Sequence, residues 1–347
     1  MTRTTPNTQP TTHSNNDPQT WAMFLTLAVI WGSSFMWIRI GLDEGVAPMA
    51  IVSMRTFFAA IVLAVVLVAR HGRLPLRWDL WKRMIFLGAA NIVVPFALIA
   101  WGQQYIPSGM ASILNAMVPL FTIVFAALAL ADEHITAGKL SGLAVGFVGV
   151  IVLALPSLEA ASADQDAALA VVGMLAVAGA SVFYGIASVY TRRRVTGMAI
   201  IEQPDGTRRA PMPVEISLGS TVAAFLMITV AALVFERPDD GLMTIPASAV
   251  GWVALIWLGV LGTGLAYLIF FRIIERWGAT RTTLVTYVIP LVAIVLGFLF
   301  LDERLRPVEL VGAALIIGGV VLVNGNVGQT PLFGQARADA EAKAQSD

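Results

Sequence analysis

The chain has 347 residues, of which 57% are hydrophobic and 13% charged, with a formal net charge of zero. Soluble domains carry about 25% charged residues, and the mean hydropathy here is +0.79, so the composition excludes an ordinary soluble protein and leaves no basic surface for nucleic acid. With no cysteine, disulfides, zinc–thiolate sites and iron–sulfur clusters are excluded as well.

Residues 1–20 are rich in Thr, Asn, Gln and Pro and read as a disordered tail rather than a cleavable signal. A membrane helix needs about 20 apolar residues, and hydropathy predicts ten: 21–39, 48–69, 84–104, 108–130, 138–155, 169–190, 214–234, 249–271, 280–301 and 308–324. Residues 326–347 form a second polar tail. His13, His71 and His134 fall in the tail or at span ends, so no metal and no other cofactor is expected.

The second half repeats the first. Pro119 answers to Pro290, Asp132-Glu133 to Asp302-Glu303, Gly142 and Gly149 to Gly312 and Gly319, and Gly88 to Gly259. Five spans per half force the second half to cross in the opposite sense, the inverted repeat of many secondary transporters. The expected architecture is an all-α membrane protein of two five-helix repeats, 21–156 and 169–325, joined by an external connector at 157–168. Arginine and lysine gather in alternate loops, at 70–83, 191–213 and 272–281, while 43–44, 159–166 and 236–240 are acidic. That bias places both termini in the cytoplasm. The long basic loop 191–213 reads as positive-inside anchoring. In the fifth span Gly138, Gly142 and Gly146 allow close helix approach. The preferred reading is packing inside the first repeat against the fourth span, and a dimer interface is the alternative. Whether the protein is a monomer or a homodimer stays open.

Three central prolines follow a polar residue by four positions: Asn91 and Pro95, Asn115 and Pro119, Thr286 and Pro290. Proline lacks an N–H, so each polar residue loses the helix partner of its carbonyl. Such breaks are tolerated in a membrane only inside the protein or beside a watery cavity. They mark a substrate cavity with helix breaks at Pro95, Pro119 and Pro290. Gly262-Thr263-Gly264 stands where Asn91 lies in the partner repeat. Trp31, Tyr184, Tyr267 and Tyr287 are deep aromatics suited to the lining, Ser33 adds a hydroxyl, and Trp101 lies near a span end. Arg55, a charge well inside a span, either snorkels to the outer interface or meets a substrate carboxylate, and the structural role is preferred. Glu133 and Glu303 begin the fifth and tenth spans, where a carboxylate suits the helix dipole. No acid sits at mid-membrane, which argues against cation–proton antiport and for a neutral or zwitterionic small molecule.

These residues resemble a known family. Trp31-Gly32-Ser33-Ser34-Phe35, Arg55 and the doubled proline-to-glutamate runs are similar to the EamA family of the drug/metabolite transporter superfamily, over nearly the whole chain. The resemblance implies a bacterial inner-membrane permease, usually an exporter of amino acids or related metabolites. It also implies a central cavity lined by spans one, three, four, six, eight and nine. The lipid bilayer and a small-molecule substrate are the expected partners. Exchange of phosphorylated metabolites is the alternative, for which Arg272 and Arg281 are the candidate cations. A membrane-embedded enzyme would need a nucleophile–base pair or paired acids, which the spans lack.

Overall fold

The computed structural model describes residues 17–70, 72–130, 136–160, 165–196, 198–199, 201–202, 207–238, 241, 243–277, 282 and 284–324. Most of both tails, Asp132-Glu133 and Arg281 lie outside the described residues. Among the described residues eight helices are long and apolar enough to cross a membrane: α1 (Pro18–Asp43), α2 (Pro48–Ala69), α3 (Trp78–Gly102), α4 (Ser108–Ala129), α5 (Ala137–Ala160), α6 (Gln165–Arg194), α7 (Pro213–Phe235) and α8 (Ala249–Trp277). Two further apolar helices, α9 (Val285–Phe300) and α10 (Pro307–Asn324), are shorter. Among the described residues the one sheet is a ribbon in the basic loop, pairing Ile201–Glu202 with Arg208–Arg209.

The outer faces of these helices carry Phe57, Val65, Leu128, Val230 and Phe298 in the open. Apolar side chains displayed this densely require a lipid surround, and the chain is a multi-pass membrane protein. Inside, Ile92, Ile113, Leu114 and Leu120 are fully buried.

Connectivity gives the bundle two ends. The proximal end holds the start of α1, where Arg276 of α8 donates to Asp17 at 2.9 Å and to Gln19 at 2.9 Å. Arg83 of α3 also meets the carbonyl of Arg194 at the end of α6. The distal end is stitched by carboxylates that serve helices other than their own. Glu236, just past α7, accepts from the N–H groups of Met49 and Ala50 at 2.8 and 3.3 Å, at the start of α2. Nearby, the Ala47 N–H donates to Thr244 Oγ1 at 2.8 Å.

Glu303 does the same for α4. Its Oε1 accepts from the Ser108 N–H at 2.8 Å, and its Oε2 from the Ser108 hydroxyl at 2.8 Å and the Gly109 N–H at 3.2 Å. The expectation that Glu303 opens its own helix is corrected here. Asp302 sits in the left-handed region (φ 52°), which a short polar side chain tolerates and which turns the following carboxylate away from α10. Glu309 closes the start of α10 instead, accepting from the Arg306 N–H at 2.6 Å, as in a capping box.

The glycine face of α5 also differs from the preferred sequence reading. It packs across the two halves, against α10 of the same chain. A Cβ on Gly149 would stand 2.7 Å from the Ile316 nitrogen, and one on Gly312 2.6 Å from the Leu153 nitrogen. One on Gly319 would stand 2.5 Å from the Gly142 carbonyl oxygen. Contact with the fourth span is present as well, with Gly146 against Leu120 and the Phe121 and Phe147 rings 5.8 Å apart. Along α10 the backbones touch, so no side chain fits between them. Gly318 has open space around it. Gly312→Leu should therefore cost about 1–3 kcal/mol through forced separation. Gly318→Leu should be neutral or stabilising by up to about 1 kcal/mol, because glycine is a weak helix former. Thermal unfolding of the two variants in one detergent checks the contrast.

Candidate functional site

Two helices loosen at matching places. In α3 the turn Gly88–Val93 is π-helical, just before Pro95. In α8 the stretch Trp257–Leu265 is π-helical and contains Gly262-Thr263-Gly264. A widened turn accommodates groups that a regular ladder would leave unmatched, and such bulges are frequent at functional sites. In α4 the helix breaks at residues 116–117, and Val118 opens its second segment with Pro119 next. The Asn115 carbonyl freed by Pro119 is met from α6, where the Ser181 hydroxyl donates to it at 3.4 Å and to the Leu114 carbonyl at 3.2 Å, which also accepts from the Met117 N–H at 3.1 Å. Sequence reasoning missed Ser181, whose only signal was a hydroxyl on an apolar span. Pro290 lies inside α9, which continues through it.

These loosened segments surround a cavity of about 330 Å³, within the range for small-ligand sites. Trp31, Ser34, Phe35 and Ile38 line it from α1, and Asn91, Phe96 and Ile99 from α3. Helix α4 contributes Asn115 and Val118, and α6 contributes Tyr184 and Ser188. Gly262, Tyr267 and Phe270 come from α8, and Val285, Thr286 and Ile289 from α9. Arg55 of α2 completes the wall. Among the described residues no aspartate or glutamate faces this space, and none gathers into a metal-binding group.

The motif at 31–35 divides its work by helix face. Trp31 lies against Phe270, ring centroids 5.4 Å apart. Gly32 admits α9, since a Cβ there would stand 2.6 Å from Val292 Cβ. Ser33 is not in the lining: its hydroxyl donates to the Ile30 carbonyl at 3.0 Å and accepts from Trp257 Nε1 at 3.1 Å. Ser34 and Phe35 face the cavity.

Trp31, Asn91, Asn115, Tyr184, Tyr267 and Thr286 are thus brought to one space, and three candidates are not. Trp101 stacks on Tyr105 at 5.0 Å, away from the cavity. Tyr287 turns outward and donates its hydroxyl to the Val320 carbonyl of α10 at 3.1 Å. Glu303 holds the distal clamp, and Glu133 lies outside the described residues. Arg272 is exposed and absent from the lining.

Arg55 is buried rather than snorkelled, at 6% exposure. Its Nε donates to Thr263 Oγ1 at 2.8 Å and one Nη to the Gly262 carbonyl at 3.3 Å, both in the loosened part of α8. The guanidinium lies over the Phe96 ring, 3.9 Å from its centroid, a cation–π arrangement. Asn115 Oδ1 is buried with no hydrogen-bond partner. Among the described residues it is the one such atom on a residue that lines the cavity.

The EamA-like transporter family model matches residues 20–155 and again 171–325. A Streptantibioticus cattleyicolor protein named "Probable terminal-alkyne amino-acid exporter" is 30% identical over 305 residues, covering 88% of this chain and 92% of its own. An Escherichia coli protein named "Probable amino-acid metabolite efflux pump" is 25% identical, covering 86% of this chain and 92% of its own. Another from the same species, an uncharacterized inner membrane transporter, is 28% identical over 86% of this chain and 88% of its own. A solved crystal structure at TM-score 0.58 and 20% identity covers 88% of this chain and 96% of its own, a likeness of fold.

Ser181→Ala should destabilise the protein by about 1–2 kcal/mol, because the Asn115 carbonyl freed by Pro119 loses its donor. Ser188→Ala should cost less, since that hydroxyl only backs onto the Tyr184 carbonyl of its own helix. Parallel thermal melts distinguish them.

Proposed function

We propose that this chain, which belongs to the EamA-like transporter family, exports amino acids or related small neutral or zwitterionic metabolites by alternating access. The family and the similar proteins are named transporters rather than enzymes. The observation that carries the reading is the partly open, largely apolar cavity with a few polar groups between the loosened segments of α3, α4 and α8. The names of two relatives support amino acids as the substrate class.

The two matched segments support a division into five-helix repeats, 21–156 and 169–325, with 157–168 between them. We read the repeats as inverted. The proximal end carries Arg70, Arg77, Lys82, Arg83, Arg192–Arg194 and Arg208, and the positive-inside rule makes it cytoplasmic, in a bacterial inner membrane. The cavity lining reaches toward that end, to Ser188 near the close of α6 and Val285 at the start of α9. The distal side is shut by the Glu303 clamp on α4 and the Glu236 clamp on α2. This arrangement suits a state open to the cytoplasm, poised to load an exported solute. Releasing the distal clamps while closing the proximal end would carry the solute out.

Exchange of phosphorylated metabolites is the second reading, and the Arg55 guanidinium in the wall is what favours it. A single cation suits a phosphate dianion less well than the several such a group usually recruits.

Proteoliposomes should take up a few members of a labelled amino-acid panel saturably, and empty liposomes should not. Comparing uptake with and without an imposed pH gradient reads proton coupling directly. Asn115→Leu and Thr286→Leu should each abolish uptake while the protein remains inserted. Unchanged uptake in both variants would remove the site assignment. The chain has no cysteine, so a single Cys at Ile99 reports distal access. Glu303→Gln should raise its labelling by an impermeant maleimide from the distal side, and equal labelling would argue against the clamp's role in closure.

A further inference from the structure

Arg55 is a charged group in the cavity wall to which the transport reading gives no part. Its guanidinium is always charged at accessible pH, and it is nine-tenths buried in the cavity wall. A buried charge is normally paired with an opposite charge. Here the partners among the described residues are a hydroxyl, a carbonyl and an aromatic face, all of them neutral. Among the described residues no carboxylate lines the same space. Thr263 and Gly262 hold the group by one edge, and a planar guanidinium offers five N–H donors in a fixed fork. The arrangement positions the cation without neutralising it.

On the transport reading above, we infer that Arg55 is the receptor for a substrate carboxylate, and that the exported class is defined by carrying one. The charge count of the cavity supports the choice. A zwitterion or a monoanion brings the missing negative charge, and Arg–carboxylate contacts are the strong, geometrically specific kind. An amine lacking the carboxylate would bring a second positive charge into a site that already holds one. The rest of the lining fits the remaining parts of an amino acid. Asn115 Oδ1 is an unmatched acceptor for an ammonium group, and the Trp31–Phe270 pair offers aromatic surface to an apolar side chain. Arg55 belongs to the first half of the chain and its anchors to the second. Substrate binding would therefore bear on the junction between the halves.

The test alters the substrate first and the protein second. Proteoliposomes containing the full chain are given leucine and phenylalanine, each beside its methyl ester and its decarboxylated amine. The amino acids should be taken up at least about tenfold faster than the esters and amines, the discrimination a buried polar contact produces. Arg55→Gln, which keeps a donor for Thr263, should lose at least about tenfold in uptake of both amino acids. Arg55→Lys, retaining the charge, should recover part of it. Melting temperatures of both variants show whether the fold is intact. The substrate series needs no variant, so it decides the question even where Arg55→Gln fails to fold.

Leucine or phenylalanine uptake with no preference over ester and amine would overturn the inference while leaving amino-acid transport standing. Undiminished uptake by folded Arg55→Gln would do the same. Absence of uptake of both amino acids would remove the amino-acid reading and the inference with it. Competition by inorganic phosphate stronger than by acetate would reassign the group to phosphate recognition.

Discussion

Hydrocarbon offers no hydrogen bonds, and this single constraint organises the molecule. A helix interrupted in that medium exposes backbone groups that must find partners within the protein. The interruptions here are correspondingly few and all turned inward. The Asn115 carbonyl at the break in α4 is answered by Ser181, and the Gly262 carbonyl in the widened turn of α8 by the guanidinium of Arg55. Each repair crosses from one half of the chain to the other. The requirement to satisfy a broken ladder therefore also binds the halves together around the space they enclose.

The distal end obeys the same logic at helix starts. The first N–H groups of a helix have no partner inside it, and a carboxylate there is further favoured by the dipole. Glu236 and Glu303, both in the second half, supply that carboxylate to α2 and α4 of the first. These contacts are polar, directional and few, unlike the apolar packing of the interior. Gly297 leaves room for one of them, since a Cβ there would stand 2.6 Å from Glu303 Oε2. At this end a small number of directional bonds stand beside apolar packing by Val46, Ile106 and Met110.

Much of this was legible in the sequence because periodicity and charge placement report on lipid directly. Hydropathy located the apolar helices, although α9 and α10 are shorter than a full span. The proline-after-polar spacing pointed to Asn91, Asn115 and Thr286, all of which line the cavity. What sequence could not supply was direction. Arg55 lies only two turns from its helix end, a depth consistent with snorkelling. Its burial follows from the side of α2 that meets α8, which nothing in the linear pattern specifies. Glu303 was misdirected for a related reason, because the left-handed turn at Asp302 decides which helix it serves. Tyr287 has the depth of a lining residue, yet its position one residue beyond Thr286 turns it about 100° around the helix, toward α10. Glycine spacing announced a close contact in α5 and suggested the fourth span, but spacing alone does not carry the direction of the face, which meets α10 as well.

That contact has a mechanical consequence. Along α5 and α10 the two backbones lie flush, with glycines on both sides. Displacement along the axis by one residue would drive Leu153 or Ile316 into the opposing main chain, and the next comparable register is a whole turn, about 5.4 Å, away. Rotation about the shared line meets no such obstacle, because glycines present no side chain to be swept aside. The seam is thus of the kind that resists sliding along its length more than tilting across it.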